Sequence, residues 1–342
     1  MKIVSIIIPH YNGKDLLHNC IDSIYNNISI DNFEIIVVDN ASTDNSINQV
    51  KSNFQNVKII SSNSNLGYSG GCNLGATHAS GKYLLFLNND TEHSNEWIEK
   101  LVHFLDSNSK IAAVQPKILN IHNKKLFDYA GGAGGFIDKF CFPFVQGRIF
   151  HTLEEDHNQY NNPSRIFWAS GAAFMIRSNV FKELKGFDEI YFSYMEEIDL
   201  CWRVQSLGHE VWSFPSSYIY HYGPYKNFRK SSINSHYLNH RNSWILFLKN
   251  SHNFNYGLSI VLKLLLDWIA LAYSLLRLNL KQYLGIIKAH WWLCFSLYKI
   301  FKLRKENRYK LNQLDNIYSG SIVVDYFLKR KKYFSQILFE LN

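Results

Sequence analysis

The chain has 342 residues, 46% of them hydrophobic and 15% aromatic, and a net charge of +8. This length and apolar content exclude a disordered polymer and suffice for one large domain or a domain with an appendage. The five cysteines, Cys20, Cys72, Cys141, Cys201 and Cys294, form no C-x-x-C pair, which excludes the usual zinc and disulfide frameworks and predicts reduced thiols in the cytosol.

Val4–Ile8 reads as a buried strand that Pro9-His10-Tyr11-Asn12-Gly13 ends with turn residues. Leu16, Leu17, Cys20, Ile21 and Ile24 recur at helical spacing and predict a helix over 14–26. Glu34–Val38 is a second strand, closed by the polar cluster Asp39 to Asp44, and Val57–Ile60 a third. A glycine-rich loop over 65–73 leads into a short helix. Tyr83–Leu87 is continuously apolar, as in a strand buried on both faces, and ends in Asn88-Asn89-Asp90. Strands alternating with helices predict an α/β fold with a doubly wound, mostly parallel sheet. Ligands of such sheets bind outside the carboxyl ends of the strands. Asp39, the Gly67–Gly71 loop and Asp90 are therefore expected to line one crevice that suits a nucleotide. Asp90, flanked by amides, suits a hard divalent cation, although a plain turn uses the same residue types.

A helix is expected over 94–107, a strand over 111–118, an irregular or hairpin segment in the glycine- and aromatic-rich stretch 129–147, and a polar loop over 154–164. Phe167–Ile176 is read as one strand whose small central residues leave room for a bulky neighbour. In Phe192–Arg203, Glu196, Glu197 and Asp199 precede a helical apolar pattern. Carboxylates favour a helix N-terminus and Asp199 can pair with Arg203; one of them aimed into the crevice would be a general base. Val211–Phe214 and Tyr218–Tyr220 are two short strands, and His221 at the second strand's exit is a candidate metal ligand.

From His221 onward, 19 Lys and Arg face 5 Asp and Glu, against 17 and 23 in the first 220 residues. Residues 256–277 approach the length of a membrane span, but Lys263 and Asp267 at the centre disfavour a simple span. On a helix, Ser259, Lys263, Asp267, Ser274 and Arg277 make one narrow polar stripe against a broad apolar face. Residues 281–300 repeat the pattern with two tryptophans, and basic clusters follow at 299–310 and 329–332. These are amphipathic helices suited to the plane of an anionic membrane; packing on the remaining domain or on a second subunit is the alternative. The basic residues flank apolar segments rather than a polar groove, so no nucleic acid is expected as a partner.

The set Ser5-Ile6-Ile7-Ile8-Pro9-His10-Tyr11-Asn12, Val37-Val38-Asp39, Asn65-Leu66-Gly67-Tyr68, Leu87-Asn88-Asn89-Asp90, Gly171, Met195-Glu196-Glu197-Ile198-Asp199 and His221 resembles the family 2 inverting glycosyltransferases of GT-A fold, in the rhamnosyltransferase-like branch of bacterial surface-polysaccharide synthesis. The resemblance implies a GT-A catalytic domain over 1–250, with a nucleotide-sugar half to about 118 and an acceptor half from 119, and a helical extension over 251–342. It implies transfer of one sugar from a dTDP- or UDP-linked donor to a hydroxyl of a glycan or polyprenyl-linked acceptor, at the inner face of the cell membrane. Pro9, Tyr11, Asp39, Asn65, Gly67, Asn73, Asn89 and Asp90 would bind the nucleotide-sugar, with Asp39 on the base or ribose. Gly171 and Trp168 would meet the acceptor, and Asp90 and His221 would hold Mn or Mg. Glu197 falls at the position of the base, with Glu196 as the alternative. Asn88 replaces the first aspartate of Asp-x-Asp, and Glu-Glu replaces Glu-Asp. No Gln-x-x-Arg-Trp signature of processive synthases occurs. Arg241 is read as a diphosphate contact or a helix-surface residue, and a homo-oligomer is possible by the same token. A nucleotidyltransferase and a non-catalytic sugar-nucleotide-binding subunit are the competing functions.

Overall fold

The computed structural model describes residues 2–223, 232–251, 256–306, 314 and 316–337. In chain order the elements are β1 (Val4–His10), α1 (Lys14–Asn27), β2 (Phe33–Asp39), α2 (Ser46–Asn53), β3 (Val57–Ser61), α3 (Gly67–Thr77), β4 (Tyr83–Leu87), β5 (Thr91–His93), α4 (Trp97–Ser107) and β6 (Ile111–Asn120). There follow β7 (Gly135–Asp138), β8 (Pro143–Val145), β9 (Arg148–Ile149), β10 (Thr152–Leu153), β11 (Ser164–Arg165), β12 (Ala173–Arg177), α5 (Ser178–Glu183), α6 (Glu196–Ser206) and β13 (Glu210–His221). The C-terminal part holds α7 (Ile233–Asn250), α8 (Tyr256–Leu276), α9 (Leu280–Glu306), β14 (Ile317–Tyr318) and α10 (Ile322–Phe327).

The nine-stranded main sheet runs β11-β13-β6-β12-β4-β1-β2-β3, with β5 paired to β13. Strands β4, β1, β2 and β3 are mutually parallel, as the strand–helix alternation predicts, whereas β12 is antiparallel to both its neighbours. Every residue of β4 is buried. Its side chains alternate between two apolar layers: Leu84 and Phe86 join Ile7 and Ile36 on one face, Leu85 and Leu87 join Ile6 and Val37 on the other. Helix α1 closes the second layer with Leu17, Cys20, Ile21 and Ile24, the helical-spacing set read from sequence. A smaller sheet, β10-β9-β8-β7-β14, forms beside the main one. Its last strand comes from beyond α9, so the chain's C-terminal stretch returns to the 129–147 hairpin, and Phe334 packs on Phe136 and Phe144 there.

Three boundaries differ from the sequence reading. Residues 167–172 are not strand: Trp168 forms a bridge to Gly135, and Ser170 N–H donates to the Gln115 side chain at 2.8 Å, so side-chain bonds divert the backbone before β12 begins at Ala173. Helix α4 starts at Trp97 rather than Ser94, because Thr91–His93 pair with β13 first and Glu96 turns left-handed at φ 54°. The two short strands after 210 are one strand, β13, with a register shift between Phe214 and Tyr218 that behaves as a bulge.

Candidate active site

The carboxyl ends of β1 and β2 are zipped together by their loops. Asn12, at φ 57°, accepts the Thr43 N–H at 2.8 Å, and Gly13 N–H donates to Asp44 at 2.8 Å. Asp39 is partly exposed and takes the Ser42 N–H at 2.8 Å. Tyr11 projects beside it with half of its surface exposed (51%). Pro9 lies within β1, in register with Val38. Asn65 accepts the Gly67 N–H at 2.8 Å at the start of α3. Gly67, at φ 71°, carries Phe192 so close that an added Cβ would lie 2.2 Å from its carbonyl oxygen, so no other residue fits. Asn73 lies apart from these: its amide is spent on both backbone groups of Phe187 and on Glu189.

At the end of β4 the three polar residues divide their work. Asn89 donates to His10 Nδ1 at 2.7 Å, and His10 contacts Ser46 at 2.8 Å, which braces the loop from beneath. Asn88 lies 3.3 Å from His221 Nε2, and its N–H is held by Ala172. Asp90 Oδ1 is 3.1 Å from the same His221 nitrogen. His221 is buried, and behind it the fully buried Asp128 accepts from Nδ1 at 2.9 Å. Burial alone would lower the imidazole pKa, but Asp90 and Asp128 outweigh it and raise it well above the ordinary value. With Nδ1 committed to Asp128, Nε2 is the nitrogen presented to Asp90. An imidazole nitrogen and a carboxylate converging on one point suit a divalent cation. Among the described residues no cluster of three such ligands occurs.

Asp128 was not legible in the sequence, lying 93 residues from His221. A carboxylate on the far nitrogen of a metal-binding histidine fixes its tautomer and orientation. Asp128→Asn is expected to weaken Mn2+ binding by about 10–100-fold. Titration by the electron paramagnetic resonance of free Mn2+ checks this, with loss of histidine nitrogen coupling from the bound ion. Unchanged affinity would reduce Asp128 to a brace for the Ala130 N–H, which it also accepts at 2.8 Å.

The second half of the site is the first turn of α6. Phe192, Tyr194 and Met195 all have positive φ (64°, 71° and 70°), a conformation that costs on the order of 1–3 kcal/mol per residue unless the surroundings enforce it. Two residues of α7 do so. Asn242 Nδ2 donates to the carbonyls of Tyr191, Ser193 and Tyr194 at 3.0, 2.8 and 2.7 Å. Arg241 donates to those of Ile190 and Tyr191 at 2.9 and 2.8 Å. Arg241 is thus a loop clamp, with Nη2 on those two carbonyls and Nε on Asn242. Asp199, fully buried, anchors the turn from below through Arg203, Lys249, Asn250 and Tyr191. Burial opposes its charge, but Lys249 and Arg203 hold its carboxyl well below the usual range.

That scaffold presents Glu196 and Glu197. Glu196 is buried and Glu197 is partly exposed, so Glu197 is the one a ligand can reach. Each carries a buried oxygen with no hydrogen-bond partner. Burial pushes both carboxyls up, and Glu197 pushes Glu196 further. Tyr68, electrostatically coupled to both, donates to the Gly171 carbonyl at 2.6 Å, and the neighbouring Ala172 carbonyl holds Asn88. The glutamates and the Asp90–His221 pair are therefore connected through Tyr68, the stretch 171–172 and Asn88. Trp168 does not take part: its indole is buried against Gly135 and donates to the Phe136 carbonyl at 2.9 Å.

The Glycosyl transferase family 2 profile matches residues 5–184. An uncharacterized glycosyltransferase of Haemophilus influenzae is 28% identical over 60% of this chain and 61% of its own. Rhamnosyltransferase WbbL of Escherichia coli is 24% identical over 66% of this chain and 85% of its own. A poly(ribitol-phosphate) beta-glucosyltransferase of Bacillus spizizenii is 31% identical, but this chain spans only 29% of that protein's length. Among solved structures, GalNAc-T7 with UDP, GalNAc and Mn2+ superposes with a TM-score of 0.60 at 18% identity, over 75% of this chain and 49% of that one. Staphylococcus aureus TarS superposes with a TM-score of 0.51 at 17% identity, over 74% of this chain and 41% of that one. The shared architecture is the GT-A fold, and the chain belongs to glycosyl transferase family 2.

Proposed function

We propose that the protein is an inverting glycosyltransferase that moves one sugar from a nucleotide-sugar to an acceptor hydroxyl in surface-polysaccharide synthesis. The observation that supports this reading is the pairing, along one sheet edge, of the His221–Asp90 contact with a partly exposed glutamate of raised pKa. The donor's base and ribose would lie over Asp39 and Tyr11, beside the Gly67 turn. Asp90 and His221 would hold a divalent cation, Mn or Mg, which as a Lewis acid would offset charge on the departing diphosphate. Glu197 would take the acceptor hydroxyl's proton as the oxygen attacks the anomeric carbon from the face opposite the leaving group. Ionised Glu197 is needed, so the rate rises with pH through its raised pKa. Solved neighbours bind UDP and UDP-GlcNAc, which supports a UDP-linked donor, and a rhamnosyltransferase relative supports rhamnose as the sugar. An N-acetylglucosaminyl-diphospho-decaprenol L-rhamnosyltransferase of Mycobacterium tuberculosis, 23% identical over 64% of this chain and 75% of its own, supports a polyprenyl-linked acceptor.

The test is nucleoside diphosphate release from a panel of UDP-, dTDP- and GDP-sugars with Mn2+ or Mg2+, with and without chelator. Slow release from one donor, abolished by chelator, is the expected result. Tight binding of a donor with no turnover even on supplying polyprenyl-linked acceptors would favour a binding subunit, and failure of every donor to bind would overturn the crevice assignment.

A further inference from the structure

The helical part of the chain is built inside out. Helix α8 is almost wholly apolar yet buries only three of its residues. The residues it does bury are its polar ones: Lys263, Asp267 and Ser274. Lys263 donates to the Phe140 carbonyl at 2.9 Å and to Ser243 at 2.8 Å. Asp267 accepts from Trp244 at 2.6 Å and contacts His290 at 3.0 Å, with His240 at 3.5 Å. The centre of the polar stripe read from sequence, Lys263, Asp267 and Ser274, therefore faces the protein, while Ser259 is half-buried and Arg277 exposed. What faces out is Leu265, Trp268, Ile269 and Leu276 on α8, and Trp291, Phe295 and Tyr298 on α9, several of them more than half exposed. Tyr273 meets Phe327 at the far end of α8, which continues the apolar surface into Leu328 and the basic run 329–332.

Charge surrounds this face with one sign. Between 256 and 304 the only acidic residue is Asp267, and it is buried. Lys281, Lys288, Lys299 and Lys302 are exposed on α9, and Arg277 in the turn that precedes it; the side chains of Lys305, Arg308 and Lys310, expected to extend the run, lie outside the described residues. A second copy of the chain docking face to face would bring the same positive rims together, which is unfavourable. An anionic bilayer is complementary to both the apolar centre and the basic rim.

We propose that the outward faces of α8 and α9, with residues 327–332, seat this protein on an anionic membrane, and that α8 lies in the membrane plane rather than crossing it. Crossing would strip Lys263 and Asp267 of the α7 and α9 partners that satisfy them, an expensive exposure in lipid. The seating stands without any assumption about the reaction; its use rests on the proposed transfer. Arg241, which clamps the loop ahead of Glu196, also lies 5.3 Å over the Trp292 ring of α9. The membrane-facing helices and the loop that presents the base are thus joined by one side chain, which suits an acceptor arriving on a lipid.

Flotation of the full chain with phosphatidylcholine vesicles, with and without phosphatidylglycerol, tests the proposal. Binding to the anionic vesicles about tenfold or more above the neutral ones is expected, weakened by salt. Ile269→Glu with Phe295→Glu is expected to abolish it while leaving donor binding intact, which separates loss of docking from loss of fold. Brominated lipids should quench tryptophan emission most when the bromine is near the headgroups. Equal binding by the double variant, no preference for anionic lipid, or deepest quenching at the bilayer centre would overturn the proposal. So would a lipid-free dimer that the double variant dissociates, which would assign the face to a second copy.

Discussion

Glu197→Gln should lower kcat by about 10²–10⁴-fold, the range expected when a positioned general base is removed, with the donor's dissociation constant nearly unchanged. The amide keeps the shape of the carboxylate but takes no proton. Glu196→Gln should cost far less, because Glu196 is buried behind its neighbour rather than open to the crevice. Stability supplies the control. A carboxyl whose folded pKa is raised favours the fold while protonated, and that contribution is lost as pH rises through the folded value. The fold therefore bears an ionised, poorly solvated Glu197 in alkaline solution, and the glutamine variant should unfold at an equal or higher temperature there. Inactivity with a higher melting temperature places the defect in proton transfer; the reverse ranking of the two variants would assign the base to Glu196.

Asp90→Ala is the second large effect. Asp90 is the one carboxylate of its strand-end triplet, and His221 is oriented toward it by Asp128. Losing Lewis-acid assistance forfeits several kcal/mol of transition-state stabilisation, which at 1.36 kcal/mol per decade is on the order of 10³-fold in rate. Affinity for the diphosphate should fall with it. Calorimetric titration of UDP and dTDP with and without Mn2+ checks this: the wild type should show metal-dependent binding and the variant none. Binding that ignores both metal and substitution would remove the cation from the account.

Much of this was legible in the sequence because the signals are local. The strand over 83–87 announces itself by an uninterrupted apolar run, and the polar triplet after it falls where a parallel sheet places its ligands. Glu196 and Glu197 stand out as paired acids at a helix start. What the sequence hid depends on distant partners. His10 under Asn89, Asp128 behind His221, and Asn242 with Arg241 across the 190–195 loop are each single polar residues with no local pattern. Trp168 shows a different limit: the resemblance sets it at the acceptor, yet its indole packs on Gly135, 33 positions away. The polar stripe of α8 is legible as a stripe, but which surface its apolar face meets is not, because periodicity defines a face without saying what lies against it.

In the proposed reaction a single in-line displacement occurs at the anomeric carbon, with Glu197 as base and the diphosphate leaving from the opposite face. Proton NMR of the sugar released or transferred from the accepted donor, recorded before mutarotation, tests it most directly. The account predicts that the first product carries the anomeric configuration opposite to that of the donor. Retained configuration would require a double displacement or a same-face mechanism, and would contradict the roles assigned to Glu197, Asp90 and His221 together.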